Sequence, residues 1–125
     1  MKQTPELDRV QARMQPGALT LHGFLGPDTR KLVDILAADD RIVRQHGLSH
    51  ERIADRLEAL TRAGTDEAER ERVVEDRYRV QVREERGRLP SPWGDGLFRK
   101  GETRLSDQET GHSFRWTPLV VHLIR

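Results

Sequence analysis

The spacing of apolar residues changes once along this 125-residue chain, near residue 77, and that change limits the folds open to it. Before this point, apolar residues recur every three or four positions, as they do on one face of an α-helix. After it, Tyr78, Val80 and Val82 alternate with polar residues, which is typical of a strand with one buried face. The two spacings together predict an α+β fold, in which helices and a small antiparallel sheet share one core.

Three helices are predicted in the first half of the chain. Thr4 and Pro5 provide an N-cap and a first-turn proline, and they start a short helix that ends before Pro16. Apolar residues at helical spacing then predict a second helix at about 27–46 and a third at about 49–64. Because only about three residues join these two helices, we expect them to pack as an antiparallel helical hairpin on the sheet.

The segments outside these helices carry other local signals. Residues 65–76 are highly charged and are expected to form a solvated helix or a linker, and residues 18–25 a short strand or an extended connector. Residues 87–96 hold three glycines and two prolines, which favours a loop. The runs on either side of residues 106–111 are predicted to form a β-hairpin, and Thr117-Pro118 to start a short C-terminal helix.

The length of the chain is typical of one domain. We therefore expect a single domain over residues 1–125, made of a helical half (1–64), a charged connector (65–76), a β half (77–116) and a C-terminal helix (117–125). The absence of cysteine excludes disulfides, thiolate chemistry and cysteine-based metal sites. No run approaches the roughly 20 apolar residues of a membrane span, and the N-terminal residues lack a signal-peptide pattern, so a cytoplasmic protein is expected.

One carboxylate in the helical half has an unusual position. Asp39 falls among the apolar positions of the predicted second helix, with His46 two turns further along. The two residues could form an acid–base pair in a cleft; alternatively, Asp39 caps a broken helix or pairs with Arg56, because a buried carboxylate needs a partner. His46 and His50 have the spacing of two metal ligands on a helix, but a glycine between them breaks the helix. No metal and no cofactor is predicted.

The aromatic and basic residues are concentrated in the second half. Five of the six aromatic residues lie beyond residue 77, and residues 77–125 carry ten basic against six acidic side chains. Rings beside guanidinium groups are typical of single-stranded nucleic-acid sites. However, alternation places Phe114 and Trp116 on one face and Arg115 on the other, as expected if the rings pack in a core. The candidate nucleic-acid residues are Trp93, Arg99, Lys100, Arg104, Arg115 and Trp116.

Three functional hypotheses follow from these features. We favour a non-enzymatic interaction or accessory module that binds a protein partner, or a second copy of itself, through the apolar residues 117–125. The alternative is binding of RNA or single-stranded DNA through the six candidate residues. A third hypothesis is a small hydrolase or isomerase that uses Asp39, Asp95 or a histidine.

Overall fold

The computed structural model describes residues 2–20 and 22–125 of the chain. Its helices are α1 (Pro5–Arg13), α2 (Leu32–Gln45), α3 (His50–Gly64) and α4 (Pro118–Ile124). Its strands are β1 (Arg72–Val74), β2 (Tyr78–Arg83), β3 (Arg88–Pro90), β4 (Leu97–Arg99), β5 (Glu102–Asp107) and β6 (Ser113–Trp116). The predicted α+β fold class is confirmed.

The chain forms two compact units. The first unit comprises residues 1–49 and 89–97, and the second comprises residues 50–88 and 98–125. A single domain over the whole chain stays a prediction. No helix in the described part of the chain is both long enough and apolar enough to cross a membrane.

The first unit contains α1 and α2. Thr4 caps α1 as predicted, since its Oγ1 accepts the backbone N–H of Leu7 at 3.2 Å. Val10 of α1 and Met14, the residue that follows α1, are buried together with Leu32, the first residue of α2. Residues 18–20, 22, 24 and 25 lie in turns and bends, so the described residues of this segment form neither the predicted strand nor an extended connector; residue 21 lies outside the described residues.

The second helix begins later than the sequence predicts. The carboxylate of Asp28 accepts the backbone N–H of Arg30 at 3.0 Å and also binds the Arg30 guanidinium, so this segment forms a turn before the helix. Lys31 makes no side-chain cap. Instead, the Gln11 amide oxygen of α1 accepts the backbone N–H of Leu32 at 2.9 Å. The start of α2 is therefore fixed by a contact with α1 and has no local sequence signal.

The second unit is built on a four-stranded antiparallel sheet with the order β1-β2-β5-β6. The β5–β6 hairpin and the strand at Tyr78–Arg83 are confirmed. α3 packs on β1 and β2 and also against α4. The buried core of this unit consists of Ala54, Leu60, Val80, Val82, Leu105, Trp116 and Val121.

The prediction that residues 65–76 form a helix or a linker is wrong in part, because this segment contains β1. β1 pairs with β2 through a tight turn at Glu75 and Asp76, whose φ angles are +57° and +53°. Two positive φ angles are typical of a type I′ turn, which usually has asparagine or glycine there. The predicted loop at 87–96 likewise contains β3, which pairs with β4 in a separate two-stranded sheet.

The two helices of the predicted hairpin fall in different compact units: α2 packs with α1, and α3 packs with the sheet. Asp39 is exposed rather than buried, and α2 continues through it without a break, so the capping interpretation is wrong. Arg56 donates to Glu75 at 2.9 Å and not to Asp39. The exposure of Leu36 and Ile42 explains the error, since the apolar stripe of α2 is covered over only part of its length.

Candidate binding pocket

A pocket of about 430 Å³ lies in the second unit, lined by side chains of α3, α4 and the strands. This volume falls within the range of small-molecule sites, roughly 300–1,000 Å³. The apolar part of the lining consists of Val82, Phe98, Trp116, Pro118 and Val121.

The connection from β6 to α4 brings Trp116 and Val121 together on the pocket lining. Trp116 is the last residue of β6, and Thr117 caps α4 at once, with its hydroxyl accepting the backbone N–H of Val120 at 3.3 Å. The predicted Thr117-Pro118 helix start is confirmed. Because only Thr117 separates the strand from the helix, Trp116 and Val121 line the same pocket.

A pair of stacked rings forms another part of the wall. The Phe98 ring of β4 and the His122 ring of α4 have centroids 4.5 Å apart and planes inclined by 30°. Stacked rings of this kind give a flat, rigid surface that favours an apolar or aromatic ligand.

A partly buried network of hydroxyl groups lies on the pocket lining between α3 and the sheet. The indole N–H of Trp116 donates to Thr61 Oγ1 at 2.8 Å, and Thr61 Oγ1 lies 3.0 Å from Thr103 Oγ1. Each hydroxyl has one hydrogen, and the bond between the two threonines uses only one of the two hydrogens. The other hydrogen has no acceptor among the residues that the structure describes. Both threonines line the pocket, so the pocket has one hydroxyl donor to spare.

The charged residues of the lining differ in how they are paired. Arg125 donates to three carboxylates of α3, those of Glu51, Asp55 and Glu58. By contrast, Arg99 makes no ion pair with any residue in the described ranges and is exposed at the pocket. Glu84 also lines the pocket. Arg99 is thus a guanidinium group available to an anionic ligand, with Glu84 as a negative group on the same lining.

The structure separates the six candidate nucleic-acid residues. Arg99 and Trp116 line the pocket, and Trp116 is only 5% exposed. Arg104 and Arg115 are directly opposed partners on β5 and β6, on the face of the sheet that points away from the core. Lys100 is half-buried beside Gly87, and Trp93, 41% exposed, belongs to the first unit.

The residues of the hydrolase hypothesis are not gathered at this pocket. Asp39 and Asp95 are exposed residues of the first unit, and the only histidine on the pocket lining is His122. Among residues 2–20 and 22–125, no group of three or more histidine or carboxylate side chains is close enough to hold a metal ion.

Sequence reasoning missed Thr61 and Thr103, which the structure places on the pocket lining. Thr103 occupies an inward position of β5, between strand neighbours that point outward, and it is only 3% exposed. A polar residue at an inward strand position was the one signal available, because a buried hydroxyl needs a hydrogen-bond partner.

No protein-family model, no curated protein and no solved structure matches this chain. The chemistry of the pocket is therefore the basis on which a function can be proposed.

Proposed function

We propose that this protein is a cytoplasmic accessory module that binds a small aromatic carboxylate in the pocket of its second unit. The observation that carries the proposal is the spare hydroxyl hydrogen of the Thr61–Thr103 pair on the wall of an aromatic-lined pocket. A hydroxyl hydrogen on the pocket lining can be donated to an acceptor oxygen of a ligand, and one such hydrogen bond contributes roughly 0.5–1.5 kcal/mol.

The pocket walls favour a flat apolar body on this ligand. Trp116 and the stacked Phe98–His122 pair offer ring surfaces, and burying them removes apolar area from water. Arg99 adds a guanidinium group without a carboxylate partner in the described residues, and such a group binds carboxylates through two parallel hydrogen bonds. These features together favour a carboxylate over a neutral or cationic ligand.

The C-terminal segment takes part in this binding as a wall of the pocket. Leu119 and Val121 of α4 are buried in their own chain, and Pro118 and His122 line the pocket. The apolar character of residues 117–125 is thus largely accounted for by the core of the second unit. We therefore assign the binding role to the pocket, and self-association through this segment becomes an alternative that light scattering can test.

The test uses Trp116 as a reporter. In a Trp93→Phe background, Trp116 is the remaining tryptophan, so its fluorescence reports on the pocket. We expect aromatic carboxylates to change this emission in a saturable way, whereas the matched aromatic alcohols bind more weakly. NMR chemical-shift changes are expected at Thr61, Thr103 and His122.

Two variants sharpen the test. Thr61→Val removes a hydroxyl of the pair and is expected to weaken binding by about tenfold, the equivalent of 1.4 kcal/mol. Thr65→Val, immediately after the last residue of α3, is the matched control, because the Thr65 hydroxyl donates to the Thr61 backbone carbonyl and is not on the pocket lining. The proposal is overturned if no aromatic carboxylate binds, or if both variants weaken binding equally.

A further inference from the structure

The four-stranded sheet has a second face that points away from the core. Val80 and Leu105 are buried on the inner face, so the residues that alternate with them along β2 and β5 point outward. Four of the outward residues are exposed arginines, which we call the basic face: Arg79, Arg83, Arg104 and Arg115.

The strand register brings these arginines together. Arg104 lies directly opposite Arg115 on one side and opposite Gln81 on the other. Arg79 and Arg83 lie two residues before and after Gln81 on β2. Neighbouring strands are about 4.8 Å apart, and residues i and i+2 of a strand about 6.7 Å apart. The four guanidinium groups therefore share one continuous patch.

The positive charge of the basic face is only partly compensated. Glu102 binds Arg104 at 3.1 Å, and Glu71 lies 3.7 Å from Arg79. Arg83 and Arg115 have no carboxylate within ion-pair distance in the described part of the chain. Like charges directly opposed across two strands reduce stability, so the Arg104–Arg115 pair favours an anion on this face.

We propose that the basic face binds the phosphate backbone of a nucleic acid without reading its sequence. Guanidinium groups bind phosphate oxygens through paired hydrogen bonds, and Ser106 and Ser113 add exposed hydroxyl groups on the same face. A protein partner fits this face less well, because protein interfaces have an apolar, aromatic centre. The outward residues of β2, β5 and β6 include no aromatic side chain, so the face provides no stacking for bases.

The test is fluorescence anisotropy with labelled oligonucleotides of mixed sequence, as single-stranded DNA, single-stranded RNA and duplex DNA, over a series of salt concentrations. We expect the logarithm of the binding constant to fall linearly with the logarithm of the salt concentration. The slope for single strands should be about −2 to −3, because each neutralised phosphate contributes about −0.7. Tighter binding of one nucleic acid than of the others identifies the natural form, and either preference supports the proposal.

The variants assign the binding to the basic face. The double variant Arg104→Gln/Arg115→Gln should reduce the steepness of the salt dependence by about 1.4, because two phosphate contacts are lost. It should also weaken binding at low salt at least tenfold. Arg104→Lys with Arg115→Lys keeps the charge and should keep the slope. Arg9→Gln with Arg41→Gln removes the same charge from exposed positions of the first unit and serves as the control.

The proposal is overturned by any of three results: no binding at low salt, an equal loss in the control variant, or competition by poly-glutamate as effective as by an oligonucleotide. The last result indicates an acidic protein as the partner. None of these outcomes bears on the pocket, because the arginines of the basic face do not line it.

Discussion

Arg77 donates from Nε and Nη2 to the two carboxylate oxygens of Asp107, at 2.9 and 2.8 Å, and so joins the start of β2 to the end of β5. Asp107 is 7% exposed, and its Oδ1 also accepts the backbone N–H of Glu109 at 3.0 Å, within the β5–β6 connection. One buried carboxylate thus fixes both a strand end and a hairpin loop, which explains how a charged residue occupies an inward position.

This ion pair predicts a pH dependence of stability. The hydrogen bond from Arg77 holds the pKa of Asp107 well below its ordinary value, although burial acts in the opposite direction. Because the folded-state pKa is the lower one, the pair stabilises the fold above the unfolded-state pKa of about 3.9 and loses this effect as the pH falls further. Asp107→Asn should therefore lower the Tm at neutral pH, and its difference from the wild type should shrink below about pH 4.

Thermal unfolding followed by circular dichroism from pH 7 to pH 2 tests this prediction. Glu85→Gln, at an exposed position, is the control and should show little difference at any pH. A Tm difference for Asp107→Asn that stays constant over the whole pH range contradicts the assignment.

The close approach of Gly64 to Val80 predicts that a larger residue at the end of α3 destabilises the protein. A Cβ atom placed there would lie only 2.9 Å from Val80 Cβ, and closer still to Val80 Cγ1, in the core of the second unit. Overpacking of this kind costs roughly 1–3 kcal/mol, which exceeds the gain of at most about 1 kcal/mol from replacing glycine in a helix. Gly64→Ala should therefore destabilise the protein in denaturant unfolding.

A double-mutant cycle with Val80→Ala separates the clash from other effects. Val80→Ala alone leaves a cavity, but it makes room for the added methyl group, so the double variant should be more stable than the sum of the two single changes predicts. Simple additivity, or a Gly64→Ala variant as stable as the wild type, is incompatible with a close contact at Val80.

The fold was predictable where the local sequence fixes the backbone. Thr4-Pro5 and Thr117-Pro118 combine a capping hydroxyl with a proline, and both start helices in the structure. The alternation at residues 78–83 likewise produces β2. β1 was missed because three residues carry too little periodicity, and because its turn uses Glu75 and Asp76 in a conformation that favours glycine or asparagine.

The candidate sites were predictable only in part. Alternation correctly placed Arg115 on the opposite face from Trp116, as the register with β5 shows, but Phe114, expected to pack in the core with Trp116, is 57% exposed. The Thr61–Thr103 contact joins residues 42 positions apart, on a helix and a strand. No local pattern specifies such a contact, because it depends on how α3 packs on the sheet.

Substitution of Trp116 tests the hydrogen bond between its indole N–H and Thr61, and the same substitution at Trp93 is the control. Trp116→Phe removes the indole N–H that Thr61 accepts, together with part of a buried ring, and should cost about 1–3 kcal/mol of unfolding free energy. Trp93→Phe, at a site 41% exposed, should change stability by no more than about 0.5 kcal/mol. Chemical denaturation measures both values. Equal losses in the two variants are inconsistent with a structural bond between Trp116 and Thr61.

Arg125 predicts a salt-dependent contribution to stability. Its guanidinium binds Glu51, Asp55 and Glu58, three carboxylates that share one face of α3 and repel one another without it. Arg125→Met keeps most of the apolar stem but removes the charge, so it should lower the Tm at about 0.01 M salt.

The loss should become small at about 1 M salt, where the screening length is about 3 Å. Arg62→Met is the matched control, because its side chain is 72% exposed and lies 3.9 Å from Glu58. If Arg125→Met lowers the Tm equally at both salt concentrations, the contribution of Arg125 comes from packing of its stem against α3. A loss that disappears with salt shows instead that the charge on Arg125 holds α4 against the acidic face of α3.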